Sequence, residues 1–94
     1  MTIKPDKVFL KRANKLLKGN PNLRISYKAL YDKLSVNPFD PQLETHPLSG
    51  DLKGKYSCSL THKIRVVFTL HDDIIHLLDI GSHDEVYRLI SLTL

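Results

Sequence analysis

The sequence predicts an α+β fold, in which an N-terminal antiparallel helical hairpin packs on one face of a small antiparallel β-sheet and a short C-terminal helix follows. Three observations predict it: apolar residues recur at helical spacing in the first third, they alternate after Gly54, and a helix-start motif follows the last strand. With 94 residues, of which 41% are hydrophobic, the chain fits a single domain spanning residues 1–94.

Two helices are predicted in the N-terminal part. Residues 5–18 carry one apolar stripe, and residues 21–34 carry another. The stripes consist of Phe9, Ala13, Leu16 and Leu17, and of Leu23, Tyr27, Leu30, Tyr31 and Leu34. Between them, Gly19 ends the first helix, Asn20 caps the second and Pro21 suits its first turn, so the two helices form a hairpin.

A proline-containing connector leads into three predicted strands. Residues 35–50 have no helical period and contain three prolines, which favours an extended segment. Strands are predicted at residues 56–61, 64–69 and 74–80, joined by short turns into an antiparallel meander. In the first two strands one face carries Tyr56, Cys58, Leu60, Ile64, Val66 and Phe68, and we expect the helices to cover it.

The C-terminal part contains a helix-start motif and an apolar tail. Ser82 and Glu85 have the spacing of a capping box, which predicts a short helix. Residues 89–94 are mostly apolar, and we expect this tail either to pack against the domain or to bind a partner.

Composition limits the expected cellular location of the protein and the kinds of cysteine chemistry open to it. No apolar run approaches the roughly 18 residues that a membrane span needs, and the polar start lacks the apolar stretch of a secretory signal, so we expect a soluble cytoplasmic protein. Cys58 is the only cysteine, which excludes an internal disulfide and a zinc thiolate cluster.

The positive charge is concentrated at the N-terminal end. Residues 1–33 carry nine Lys/Arg against two Asp/Glu, a balance of +7, whereas the remaining residues carry five against eight, a balance of −3. So basic a helical half attracts polyanions, which makes RNA, DNA or an acidic protein segment the natural partner class. The alternative interpretation is a lysine-rich face that serves solubility.

The sheet face away from the helices is the candidate site. It carries Ser57, Ser59 and Arg65 by the period of two, while His46 lies in the preceding loop and His83 and Tyr87 follow the last strand. Cleavage of RNA by its own 2′-hydroxyl needs a base, an acid and fixed positive charge on the phosphate, which histidine and arginine supply. That reaction requires no metal or other cofactor.

Each of these residues also has a structural interpretation. His46 and His83 can be solvated loop or capping residues, Arg65 can form an exposed ion pair across the strands, and Tyr87 can simply pack. We interpret His71 and His76 as structural. Residue chemistry alone therefore predicts only an α+β domain that handles RNA.

Three segments, in order and at suitable spacing, resemble the RelE/ParE toxin superfamily, and most of all its YafQ-like branch of messenger-RNA interferases. They are His46-Pro47-Leu48-Ser49-Gly50-Asp51-Leu52-Lys53-Gly54, Lys63-Ile64-Arg65-Val66-Val67-Phe68 and Gly81-Ser82-His83-Asp84-Glu85-Val86-Tyr87. The resemblance is continuous from about Asn37 to Tyr87. It implies a toxin that enters the ribosomal A site and cuts the bound messenger RNA, and a cognate antitoxin protein that silences it.

The resemblance also implies roles for individual residues. His46 and His83 match the two leading acid/base positions, Arg65 matches a strand arginine that acts on the phosphate, and Tyr87 matches an aromatic position that places the substrate. We assign substrate binding to the neighbouring polar residues Lys53, Lys55, Ser59 and Lys63.

The chain departs from the YafQ-like pattern at two places. Ser59 stands where those enzymes have a histidine, and Lys63-Ile64 stands where they have an Asp-Trp pair. These departures leave open a weakly active or differently selective nuclease. Fold likeness alone also leaves two alternatives: a ParE-like toxin that binds DNA gyrase without cutting RNA, and a non-catalytic module that binds nucleic acid through its basic helices.

Overall fold

The structure, a computed structural model, describes residues 1–87. The predicted hairpin is present as α1, Lys7–Leu17, and α2, Pro21–Val36. Gly19 adopts a left-handed φ of 71°, and Asn20 Oδ1 accepts the backbone N–H of Leu23 at 3.2 Å. The turn chemistry inferred from the sequence is thus confirmed.

The helices pack on a sheet of five strands, two more than the sequence predicts. Their bounds are β1, Thr2–Pro5; β2, His46–Pro47; β3, Tyr56–Ser59; β4, Ile64–His71; and β5, Ile74–Ser82. The spatial order is β1-β5-β4-β3-β2. The meander β3-β4-β5 is antiparallel as predicted, and β2 extends it antiparallel to β3.

The first strand makes the sheet mixed rather than purely antiparallel. β1 pairs parallel with β5, with Thr2 opposite Ile74 and Pro5 opposite Leu77. Four residues are too few for an alternating pattern to show, so this strand is defined by its partner and not by its own sequence. Pro5 is its last residue, and at a sheet edge the missing N–H is tolerated.

The larger core lies between the helices and the sheet, as predicted. Phe9 and Leu34 from the helices are fully buried against Cys58, Val66 and Phe68 from the sheet. The remaining buried members of this cluster are Ala13, Leu30, Leu43, Ile75, Leu77 and Ile80.

The opposite sheet face is partly covered, which the sequence analysis did not foresee. Residues 83–87 are helical and form α3. Buried Val86 of α3 packs with Val67 and with Leu52 from a 3₁₀ turn, Gly50–Leu52. Leu48, Leu78 and Tyr87 pack around these three residues, and we call the six residues the lower cluster.

The capping box at the start of α3 is confirmed. The Ser82 backbone N–H donates to Glu85 Oε1 at 3.1 Å, and the Glu85 N–H donates to Ser82 Oγ at 3.3 Å. The apolar tail at residues 89–94 lies outside the described residues. Within residues 1–87, no helix is both long enough and apolar enough to cross a membrane.

Candidate active site

Strand register brings His46 and Arg65 onto one sheet face. His46 pairs with Ser57, and Ser59 pairs with Arg65. Because Tyr56 and Cys58 contact the helices, their neighbours Ser57 and Ser59 project to the opposite side, and so do their cross-strand partners. Strand spacings place the Cα atoms of His46 and Arg65 roughly 12 Å apart, which two long side chains can bridge through one phosphate.

Arg65 is half-buried, with most of its donors still available. Its Nη1 donates to Ser59 Oγ, a cross-strand bond that fixes the direction of the side chain. Within residues 1–87 the guanidinium makes no ion pair, so its remaining N–H groups can bind an anion. Ser59 therefore orients the arginine in this structure.

His46 is exposed on the edge strand β2 and is held by the preceding turn. Its Nδ1 lies 3.3 Å from the carbonyl oxygen of Glu44, a residue in the left-handed region with φ 52°. A hydrogen bond between these atoms has Nδ1–H as its donor, because a carbonyl only accepts. The neutral tautomer that forms this bond carries its lone pair on Nε2, which is the arrangement a general base needs.

His83 and Tyr87 are one turn apart on α3 and contact each other. Their ring centroids are 4.2 Å apart with an angle of 88° between the planes. His83 Nδ1 lies 3.5 Å from Asp84 Oδ1, and 66% of the His83 side chain is exposed. Tyr87 packs with the other residues of the lower cluster, so it anchors the largely exposed imidazole of His83.

The lower cluster joins the elements that carry the candidate catalytic groups. Leu48, two residues after His46, and Tyr87 of α3 pack against the same buried residues. Within residues 1–87, no hydrogen bond or ion pair links His46, Arg65 and His83 directly. The three groups are therefore carried by neighbouring elements around one surface and make no direct contact with one another.

The predicted substrate-binding lysines are placed differently from one another. Lys53 is exposed just after the 3₁₀ turn, and the carbonyl of half-buried Lys55 accepts the N–H of Leu48 at 2.9 Å. Both flank the lower cluster. Lys63 lies in the β3-β4 turn and lines a groove with Asn22 at the start of α2, so it borders the helical hairpin as well.

Two polar residues of β3 are buried on opposite faces. Burial raises the pKa of the Cys58 thiol to about 12, and the positive charge of nearby Arg65 opposes part of this rise. Ser57 is fully buried, and its Oγ has no hydrogen-bond partner within the described residues. The sequence placed Ser57 on the correct face but gave no sign of its burial, because the covering residues come from distant segments.

An ion-pair cluster that no sequence pattern predicted links α1, β5 and α3. Arg12 Nε lies 3.1 Å from Asp79 Oδ1, and Arg12 Nη2 lies 3.3 Å from Glu85 Oε2. Burial raises the pKa of Asp79, opposed by the Ile80 N–H and by Arg12. Hydrogen bonds from Ser82 lower the pKa of Glu85.

Within the described residues, Gly81 is the one position in the local sequence that reflects this ion-pair cluster. A Cβ at this position would lie 2.6 Å from Arg12 Nη2, so a larger residue would displace the end of the arginine side chain from its present position. No metal site accompanies the cluster, since residues 1–87 contain no group of three or more metal-binding side chains.

A family described as the bacterial toxin of type II toxin–antitoxin systems, YafQ, matches residues 1–88. The chain belongs to the YafQ toxin family. The resemblance read from the sequence is thus confirmed, over a longer stretch than the motifs themselves cover.

Solved structures agree with this YafQ-family assignment. A copper-bound mutant toxin from Helicobacter pylori is 30% identical, with a TM-score of 0.76 over 92% of this chain and 98% of that one. YafQ in the Escherichia coli DinJ-YafQ complex is 21% identical, with a TM-score of 0.74 over 90% and 96%.

A third solved structure shares the fold at lower identity. The YoeB/ParE toxin from Agrobacterium tumefaciens is 16% identical, with a TM-score of 0.78 over 88% and 99%. The last two likenesses show the fold alone. Among curated proteins, no sequence matches this chain.

Proposed function

We propose that this YafQ-family toxin is a ribosome-dependent endoribonuclease, which cuts translated messenger RNA in the ribosomal A site. The observation that carries the proposal is the strand register that sets His46 and Arg65 on one sheet face. The lower cluster supports it, because it joins the loop after His46 to the helix that bears His83 and Tyr87.

The tautomer of His46 supports an assignment of roles. Its free Nε2 takes the proton of the ribose 2′-hydroxyl while the 2′-oxygen bonds to phosphorus. Arg65 stabilises the charge on the phosphoryl oxygens, and His83 donates a proton to the departing 5′-oxygen. The products are a 2′,3′-cyclic phosphate, which is open to later hydrolysis, and a 5′-hydroxyl.

Substrate binding uses the surroundings of these three groups. Tyr87 stacks on a base, and Lys53, Lys55 and Lys63 attract the RNA backbone. Ser59 supports the reaction through its bond to Arg65, which gives the serine a use at a position where YafQ-like enzymes carry a histidine.

We propose a cognate antitoxin protein as the regulatory partner. The support is the family itself and the solved DinJ-YafQ complex of a structural relative. An acidic antitoxin segment suits the basic N-terminal half of this chain.

The activity is tested in a translation extract, with cleavage sites mapped on a reporter messenger RNA. The wild type is expected to cut ribosome-bound message, and Arg65→Ala, His46→Ala and His83→Ala each lose at least about tenfold in rate. His71→Ala is the matched control, because His71 is an exposed histidine at the end of β4. Full activity in all three site variants contradicts the proposal, and a stalled gyrase with continuing translation favours the ParE-like alternative.

The roles of the two histidines are tested with a modified substrate. A bridging sulfur in place of the 5′-oxygen leaves as a thiolate and needs no acid, so it restores cleavage by a variant that lacks the acid. We expect this substrate to rescue His83→Ala and to leave His46→Ala impaired. The reverse pattern would exchange the two roles.

A further inference from the structure

Arg12 belongs to α1, outside the segments that supply the candidate site residues, yet it contacts the element that carries His83 and Tyr87. It reaches from α1 to Asp79 in β5 at 3.1 Å and to Glu85 in α3 at 3.3 Å. We infer that Arg12 is a positioning residue of the proposed nuclease site, which holds α3 against the end of β5. The expected effect of Arg12 on catalysis rests on the proposed function. Its expected effect on the position of α3 rests on geometry alone.

Glu85 links the arginine to the start of α3. One carboxylate oxygen, Oε1, accepts the backbone N–H of Ser82, and the other, Oε2, pairs with Arg12. The same carboxylate therefore closes the capping box and binds the guanidinium. Ser82 and Glu85 bracket His83 in the sequence, so a shift of Glu85 moves the turn that carries the imidazole.

Asp79 provides the fixed end of this connection. The Asp79 side chain is only 3% exposed, and its Oδ1 also accepts the Ile80 N–H at 2.8 Å. A buried carboxylate is costly to leave unpaired, which keeps the arginine in place. The Arg12 side chain is 21% exposed, so it is well shielded for a surface-helix residue.

The fold makes specific room for this contact. Gly81 lies between Asp79 and the capping box, and a Cβ there would approach Arg12 Nη2 to 2.6 Å. Arginine contacts the two carboxylates through two different nitrogens of one planar fork, a geometry that the single ammonium nitrogen of lysine does not reproduce. The burial of Asp79 and the pairing with two carboxylates together favour arginine at this position.

The test compares Arg12→Gln and Arg12→Lys with Lys11→Gln, which removes the same charge one residue away on an exposed position of α1. Loss of long-range attraction for RNA is common to both glutamine variants and affects KM. We expect Arg12→Gln to lower kcat a further tenfold or more relative to Lys11→Gln. Arg12→Lys should recover only part of that loss.

A second readout does not depend on cleavage. The Tyr87 ring lies 4.2 Å from the His83 ring and shifts the NMR resonances of its imidazole protons. Arg12→Gln should move these resonances toward their values in an unstructured peptide, while Lys11→Gln leaves them at the wild-type positions. Unchanged resonances overturn the inference, and so does a kcat equal to that of Lys11→Gln.

Folding failure is controlled with a paired variant. Arg12→Gln alone leaves Asp79 buried without its partner, whereas Arg12→Gln with Asp79→Asn removes both charges and still frees Glu85. This double variant should unfold near the wild-type temperature, with displaced His83 resonances. If the wild type itself cuts no RNA, the proposed function fails, and the NMR comparison alone then decides whether Arg12 positions α3.

Discussion

At the scale of single residues, β3 shows how adjacent polar side chains meet different environments. Cys58 faces the helices and Ser57 faces the lower cluster, and both are fully buried. The thiol behaves as a small apolar group in the core. The serine hydroxyl, in contrast, has no hydrogen-bond partner among residues 1–87 and lies beside the strand that carries His46, which is a cost to the fold.

The raised pKa of Cys58 gives the first stability prediction. The thiol loses its proton near the ordinary value of 9.0 in the unfolded chain and near 12 in the folded one. The unfolded state therefore binds fewer protons above pH 9, and the stability falls as the pH rises from about 9 toward 12. At pH 10.5 the thiol accounts for a loss of about 2 kcal/mol, measurable by urea unfolding at pH 7 and 10.5.

Cys58→Ala is the control for the alkaline loss. It removes the contribution of the thiol and retains that of Tyr27, whose pKa is raised by burial and by its neighbour Tyr31. Thiol reagents should label Cys58 only after unfolding. Rapid labelling of the native protein at pH 8 would contradict its burial.

Residue chemistry predicted which sheet face the candidate strand residues occupy better than it predicted their contacts. Arg65 was predictable, because a strand arginine between apolar neighbours has to face away from the core. Arg12 was not predictable in the same way, since its partner Asp79 is distant in sequence and no local pattern links them. The tautomer of His46 depends on a turn at Glu44 that only the fold specifies.

At the scale of elements, the segments with a clear period were predicted and the shortest ones were not. The helical hairpin and the meander carry enough residues for their spacing to be read, although α2 extends two residues beyond Leu34. β1 and β2 contain four and two residues, and both become strands only because a neighbouring strand offers hydrogen bonds. The 3₁₀ turn that supplies Leu52 has no period either.

The capping box gives a prediction for α3. Ser82→Ala removes the acceptor for the Glu85 N–H and should cost about 1 kcal/mol in the free energy of unfolding. Ser35→Ala is a suitable control, because the Ser35 hydroxyl only donates to the Asp32 carbonyl within α2. Equal effects of the two changes in urea unfolding would mean that the capping box contributes little to the stability of α3.

At the scale of the whole molecule, the basic part of the sequence is also the part that forms most of the helical hairpin. The first 33 residues, with a balance of +7, form β1, α1 and most of α2, whereas the sheet half has a balance of −3. The helices therefore present positive charge on one side of the domain, and the candidate catalytic groups lie on the other side of the sheet. The basic surface of the helices is thus separate from the RNA contacts proposed for Lys53 and Lys55 beside the lower cluster.

The positive charge of the helical half predicts that ribosome binding depends strongly on salt concentration. Raising monovalent salt from 50 to 200 mM should weaken the affinity by at least about tenfold, because contacts with phosphates release counterions. The measurement is the Kd of a catalytically impaired variant, Arg65→Ala, at several salt concentrations. Thermal unfolding at the same concentrations verifies that the toxin stays folded, and a flat affinity would assign the lysines to solubility.

The pairing of β1 with β5 bears on how the toxin is made. β5 lies between β1 and β4, and it contributes Ile75, Leu77 and Ile80 to the larger core. Until β5 has emerged from the ribosome, a nascent chain lacks the strand that joins its first residues to the rest of the sheet, and it lacks α3 as well. The ribosome that synthesises this protein therefore holds a chain with an incomplete sheet until residues 74–82 have emerged.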